Sequence, residues 1–107
     1  MKEIKIGKIK TFMKTKTKYE ENIERISNDF PIVRRFFTAV YHVIATENLR
    51  GFHTFCVINN LNTSNMARLT KEPHRQFPLN LLTLMVEKYN FSAHWLVTGK
   101  GPLKNND

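Results

Sequence analysis

Residues 52–70 restrict the fold most strongly, because they predict two short helices joined by a tight turn. Phe52, Phe55 and Cys56 lie three and four residues apart, so one face of the first helix is apolar. Residues 59–60, both asparagine, interrupt this pattern. Asparagine is the non-glycine residue that best tolerates the left-handed backbone of a sharp helix exit. We therefore expect a helical corner here, with a second helix after the turn.

The second helix of this pair is expected to present a polar outer face. Asn62 is a suitable N-cap, and Leu61 before it can fill the gap between the two helices. Met66 and Leu69 are three residues apart and face inward. The outer face then carries small or polar side chains and one guanidinium, on Thr63, Ser64, Ala67 and Arg68. Such a face can approach a nucleic-acid groove closely, but a plain helical hairpin in a small bundle fits this stretch equally well.

Composition and charge narrow the class of protein. The chain has 107 residues, enough for one domain or one domain with an arm, and 41% hydrophobic residues can supply a core. A net charge of +8 favours polyanionic partners, with nucleic acid ahead of a membrane surface. The single cysteine excludes an internal disulfide. Neither a membrane span nor a secretory signal is recognisable, so we expect a cytoplasmic protein with no membrane partner.

Residues 1–28 are expected to form a basic N-terminal arm and a linker. Residues 1–18 contain seven lysines and one glutamate, and the alternation of lysine with other residues favours an extended segment over a helix. This arm could contact phosphates, or it could be a solvated tail or a segment that orders against a second subunit. Residues 19–28 could add one or two helical turns, with Ile23 and Ile26 facing inward.

A long amphipathic helix should follow from about residue 29. Asp29 is a plausible N-cap, and Pro31 is tolerated in the first turn. Arg34 and Arg35 fall on the other face, and Asn48 is a reasonable end point. The inner face has the spacing of a wide apolar stripe, on Val33, Phe36, Phe37, Val40, Tyr41 and Ile44.

The segment after the central pair, residues 71–78, is expected to be a loop because two prolines bracket it. It adds Lys71, His74 and Arg75 beside the outer face of the second helix. From residue 48 to residue 76 there are four lysines or arginines against one glutamate. The positive charge therefore falls on the same surface as that face.

Two more helices are expected before a frayed tail at residues 104–107. Pro78 should open the first of them, and Asn90 can end it in a left-handed turn. Ser92 should cap a short last helix that holds Trp95 and Leu96. The inner stripe of the helix after Pro78 is expected to be Leu79, Leu82, Met85, Val86 and Tyr89. The sequence thus predicts an all-α fold with five helices between residues 29 and 103.

The segment 95–101, Trp-Leu-Val-Thr-Gly-Lys-Gly, resembles the Trp-Leu-Leu-Thr-Gly-x-Gly segment that closes many phage-repressor N-terminal domains. Residues 89–92 match the short loop before it. Over residues 31–103 the chain is similar to the lambda-repressor-like helix-turn-helix family of phage CI and Cro repressors and XRE-type regulators. Asn59 departs from this pattern, because the family has an aliphatic residue there, and Asn60 stands where glycine is usual. The resemblance implies a five-helix lambda-repressor-like DNA-binding domain with a basic N-terminal arm.

The same resemblance implies a function and a set of contacts. It implies a homodimeric transcriptional regulator of the repressor type that binds a pseudo-palindromic operator in double-stranded DNA. Base contacts would come from Thr63, Ser64 and Arg68. Phosphate contacts would come from a helix N-terminus and from polar and cationic residues in and after the second helix, namely Gly51, Phe52, His53, Thr54, Asn65, Lys71 and Arg75. Asn65 could instead cap its own helix locally.

Two other functions compete with DNA binding. The first is a protein-interaction module, such as an antitoxin or anti-repressor component, which an exposed apolar patch at Phe52, Phe77 or Phe91 would favour. The second is an enzyme, which we do not expect because no nucleophile with a base, no paired carboxylates and no glycine-rich loop are recognisable. The four histidines show no metal-ligand spacing with Cys56 or with carboxylates, and no cofactor or small-molecule substrate is expected.

Overall fold

A computed structural model describes residues 17–105, which are all-helical apart from one isolated antiparallel bridge between Phe91 and Lys104. The predicted all-α class is therefore confirmed for this part of the chain. The expected basic arm lies outside it, except for Thr17 and Lys18. No helix within residues 17–105 is long and apolar enough to cross a membrane. The six helices are α1 (Lys18–Glu24), α2 (Pro31–Thr46), α3 (Phe52–Ile58), α4 (Thr63–Lys71), α5 (Leu79–Glu87) and α6 (Ala93–Thr98).

Helix α2 is the central element, and it packs against α1, α3, α5 and α6. The predicted apolar stripe is its buried face, with Phe36, Phe37 and Val40 fully buried. Burial of the two phenylalanine side chains contributes on the order of 3–6 kcal/mol. The expected N-cap is wrong: Phe30 occupies that position without a side-chain cap, and Pro31 is the first helical residue. The N–H groups of the first helical turn have no partner within the helix, and proline lacks this group. With Pro31 as its first residue, α2 therefore has one fewer N–H that needs a capping hydrogen bond.

Helix α1 belongs to the packed domain. A reciprocal capping box starts it, in which Glu20 N donates to Thr17 Oγ1 at 3.1 Å and Thr17 N donates to Glu20 Oε1 at 2.8 Å. Tyr19 stacks on Tyr41 of α2 with ring centroids 4.3 Å apart. Ile26, just after the helix, is only 1% exposed, as its predicted inward position requires. Helix α1 therefore packs on α2, although it precedes residues 28 and 29, where we expected linker to give way to domain.

Helix α5 differs from its prediction in start and in phase. Pro78 is the N-cap, and Leu79, expected on the inner stripe, is 75% exposed. Leu81 is buried in its place, whereas Met85 and Tyr89 of the predicted stripe are buried as expected. Leu82 and Val86 are only partly buried. Six of the nine residues of α5 are leucine, methionine or valine, so the pattern did not single out one face. Packing against α2 and α6 selected the face that is buried.

The C-terminal segment is held by the loop before α6. Ser92 caps α6 as predicted, because its Oγ accepts from Trp95 N at 3.1 Å. Its own N–H donates to Leu103 O at 3.0 Å, and Asn105 N donates to Asn90 O at 3.0 Å. The fraying expected from residue 104 is therefore not observed for Lys104 and Asn105, since backbone hydrogen bonds pair this stretch with residues 90–92.

Candidate nucleic-acid interface

The corner between α3 and α4 has the predicted form. Asn60 adopts a left-handed conformation with φ 57°. Leu61 N donates to Cys56 O at 2.8 Å, and Asn60 N donates to Val57 O at 3.1 Å. These two bonds satisfy carbonyl groups that the end of a helix leaves without partners, in the pattern of a Schellman motif. The corner is thus fixed by residues within six positions of one another.

Asn59, where the resembled family has an aliphatic residue, is the centre of a polar network. Its Nδ2 donates to Phe55 O at 3.0 Å and to the Tyr89 hydroxyl at 2.9 Å. Its Oδ1 accepts from Lys88 Nζ at 2.7 Å. Hydrogen bonds thus tie α3 to the end of α5 at this position, and the neighbouring Ile58 is 50% exposed.

Helix α4 presents the polar face that the sequence predicted. Asn62 caps it by accepting from Asn65 N at 2.8 Å. Met66 and Leu69 are buried at 4% and 8% exposure. Ser64 and Arg68, two of the three candidate base-contacting residues, are exposed. Among residues 17–105 the only ion pair joins Arg75 and Glu72, so the Arg68 guanidinium has no carboxylate partner there.

Thr63, the third candidate for a base contact, is half-buried at the joint between the two helices. Its Oγ1 lies 2.9 Å from His53 Nδ1, which links the start of α4 to the start of α3. The same hydroxyl is hydrogen-bonded to the fully buried Cys56 thiol. Burial raises the pKa of Cys56, and the bond to Thr63 opposes this rise. The Thr63 hydroxyl therefore has partners within the protein, and its predicted role as a direct base contact is weakened.

The candidate phosphate contacts form two groups on either side of α4. Gly51, Phe52, His53 and Thr54 surround the start of α3, and His53 alone among them is exposed. The Phe52 ring packs against Phe37, with centroids 6.1 Å apart, so its side chain is part of the hydrophobic core. Its backbone N–H, in the first turn of α3, is available to bind a phosphate.

The second group lies at the other edge of α4. Asn65, Arg68 and Arg75 line one shallow depression of about 160 Å³, together with Gln76, which sequence reasoning did not single out. Arg75 Nη1 is 2.9 Å from Glu72 Oε1, but both side chains are about half exposed, so this pair is weak. Lys71 is exposed and lies on the opposite side of α4, where it lines a separate cavity.

The described helices therefore define a small all-α domain with a cationic surface at the α3–α4 corner. Comparison of the chain with protein-family models, with curated proteins and with solved structures found no match. The residues and their geometry are thus the basis for the function proposed next.

Proposed function

We propose that this protein is a sequence-specific double-stranded DNA-binding transcriptional regulator of the repressor type, with α2–α6 as a lambda-repressor-like helix-turn-helix domain. One observation carries the proposal. On α4, Ser64 is exposed in the first turn and Arg68 one turn later, while Met66 and Leu69 are anchored in the core. A rigid helix with a short polar N-terminal face and a long donor beyond it is suited to the major groove.

The contacts divide into base reading and positioning. Arg68 can bond bidentately to guanine O6 and N7, and such a pair contributes about 1–3 kcal/mol of discrimination. Ser64 can contact a base edge beside it. Lys71, Arg75 and the backbone N–H groups at Gly51–Thr54 would bind phosphates and fix the register of the protein on the duplex. Thr63 and His53 would hold the two helices at the angle that this docking requires.

A homodimer would place two α4 helices about 34 Å apart on a pseudo-palindromic operator. The described surface offers an apolar region for such an interface, a groove of about 260 Å³ between α5 and α6. Leu82, Val86 and Val97 line this groove, and Val97 is 52% exposed. The N-terminal lysines would add phosphate contacts outside the domain.

The decisive experiment is selection of bound sites from a random duplex library, followed by binding assays on the selected site. Arg68→Ala should weaken specific binding about tenfold to a hundredfold, which corresponds to the loss of one bidentate base contact. Its thermal unfolding should match that of the wild type, because the side chain is exposed. Lys100→Ala, which removes one exposed cation outside the cationic surface at the α3–α4 corner, is the control. A folded Arg68→Ala protein with unchanged affinity would remove Arg68 from the interface.

Salt dependence tests the electrostatic part of the proposal separately. Each phosphate contact releases counterions, so affinity should fall steeply, by orders of magnitude, between about 50 and 200 mM salt. A flat profile would contradict binding through a cationic surface.

A protein-interaction module, such as an antitoxin or anti-repressor component, is the second candidate, and exposed apolar side chains favour it. The patch anticipated at three phenylalanines is not there: Phe91 is fully buried, and Phe52 and Phe77 pack against the core. Val57 and Ile58, at the end of α3, are instead 61% and 50% exposed. Capture of a partner that persists in high salt and after nuclease treatment, and that is lost in a Val57→Ser/Ile58→Ser variant, would favour this function over DNA binding.

A further inference from the structure

A cavity of about 720 Å³ lies between α1, α2, the start of α3 and the outer side of α4. Its size is within the range of pockets that hold small organic ligands. The cavity combines an aromatic wall with a cationic rim, and no acidic side chain from residues 17–105 lines it. It is separate from the depression that contains Arg68.

The wall consists of ring surfaces that the packing of α1 on α2 brings together. Tyr19 and Tyr41 are stacked at 4.3 Å with their planes 14° apart. Phe52 lies 6.5 Å from Tyr41 and is inclined to it at 63°. All three are partly exposed. A partly exposed aromatic ring can stack against a planar ligand ring, as it does in proteins that bind nucleic-acid bases.

Within the described part of the chain, the rim has four cationic side chains from separate elements: Lys18, Arg25, Arg50 and Lys71. Arg25 donates to Asn22 Oδ1 at 3.2 Å, and none of the four has an ion pair with another described residue. Four like charges around one cavity repel each other, and an anion placed among them would relieve that repulsion.

We propose that this cavity binds a mononucleotide, with the base against the aromatic wall and the phosphates among the rim cations. A neutral apolar ligand would leave the rim charges unpaired, and a bare phosphate would leave the wall in contact with water. Residues 1–16 of this chain carry a charge of the same sign as the rim, which disfavours them as the occupant. A nucleotide satisfies both parts of the site.

The position of the cavity suggests what bound nucleotide would do. Ala67, Thr70 and Lys71 of α4 form one side of it. A nucleotide would therefore engage Lys71, which is also proposed to contact DNA phosphate, so that the two ligands would compete. This coupling rests on the proposed function, whereas nucleotide binding itself depends only on the cavity.

The test is isothermal titration of the full chain with ATP, inorganic triphosphate and adenosine. ATP should bind about tenfold more tightly than either fragment, because only ATP uses both the wall and the rim. Arg50→Gln should weaken ATP binding about tenfold through loss of a charged contact. Ala67→Leu should also weaken it by filling the cavity without a change in charge. Lys100→Gln, which removes an exposed cation elsewhere, should bind ATP as the wild type does.

Three outcomes would overturn the proposal. The first is that ATP does not bind the folded wild type. The second is that triphosphate binds as tightly as ATP, which would indicate charge attraction alone. The third is that Arg50→Gln and Ala67→Leu bind ATP as Lys100→Gln does, which would place binding elsewhere. Melting curves of each variant establish that it is folded. ATP binding with no affinity for any selected duplex would refute the proposed DNA-binding function and leave the nucleotide site standing.

Discussion

Helices α3 and α6 are both short and both end in a left-handed residue, but different parts of the chain complete their last turns. At α3 this residue is Asn60 with φ 57°, and backbone N–H groups of residues 60 and 61 satisfy the helix carbonyls. At α6 it is Gly99 with φ 78°. There the Arg35 guanidinium, from α2, donates to Leu96 O at 2.8 Å through Nε and to Val97 O at 2.7 Å through Nη2.

The C-terminal ends of α3 and α6 therefore depend on the rest of the fold to different degrees. The α3 corner contains its own capping bonds, so it can form as soon as these residues meet. The α6 end is completed only when α2 is packed beside it, because its partner is 61 residues away. We therefore expect the α6 end to respond strongly to changes in α2, and the α3–α4 corner to respond mainly to its own sequence.

The largest expected effect is that of Arg35→Met. It keeps most of the aliphatic length of the side chain and removes both charged hydrogen bonds, so the free energy of unfolding should fall by about 2 kcal/mol. Urea denaturation followed by circular dichroism measures this change. The neighbouring Arg34 donates no side-chain hydrogen bond to another described residue, and Arg34→Met should stay within about 0.5 kcal/mol of the wild type. Equal effects of the two substitutions would contradict the role of Arg35 as a cap.

The next effect is that of Gly99→Ala, which should cost about 1–2 kcal/mol because alanine disfavours a left-handed backbone. A Cβ atom at this position would also lie 3.0 Å from Arg35 Nη1 and disturb the same cap. Gly51→Ala is the matched control in the same denaturation experiment. Gly51 has an extended backbone, and among the described residues its added Cβ would meet only the Tyr19 hydroxyl, at 3.7 Å. A stability loss of similar size at Gly51 would show that the backbone conformation at Gly99 is not the cause.

The smallest effect should come from Asn60, where the cap is local. Asn60→Ala should cost about 0.5–1 kcal/mol, since alanine tolerates φ > 0 less well than asparagine, whereas Asn60→Gly should leave stability within about 0.5 kcal/mol of the wild type. Thermal melts of the two variants side by side measure the difference. If Asn60→Gly were as destabilised as Asn60→Ala, the asparagine side chain itself, and not the left-handed backbone, would hold the corner together.

Much of the fold was predictable because its signals are local. The period of the α2 stripe, the asparagines at 48, 60 and 90 and the caps at Asn62 and Ser92 each specify structure within a few residues, and the structure bears them out. The sequence did not predict which face of α5 is fully buried, because most of its residues are apolar. Packing against the neighbouring helices determines which of these residues are buried. Arg35 was placed on the outer face of α2, and its spacing gave no sign of its partners on α6.

For the candidate site the division is similar. Helical periodicity correctly placed Ser64 and Arg68 on the exposed face of α4. The positive charge predicted for one surface is instead divided, because Lys71 lies on the side of α4 opposite Arg75. The bonds of Thr63 to His53 and Cys56 depend on how α3 and α4 pack across their turn. The cavity whose rim unites Lys18 with Arg50 and Lys71 depends on helices that are distant in the chain. Periodicity assigns each residue to a face of its own helix, but only the packing of one helix on another decides what that face meets.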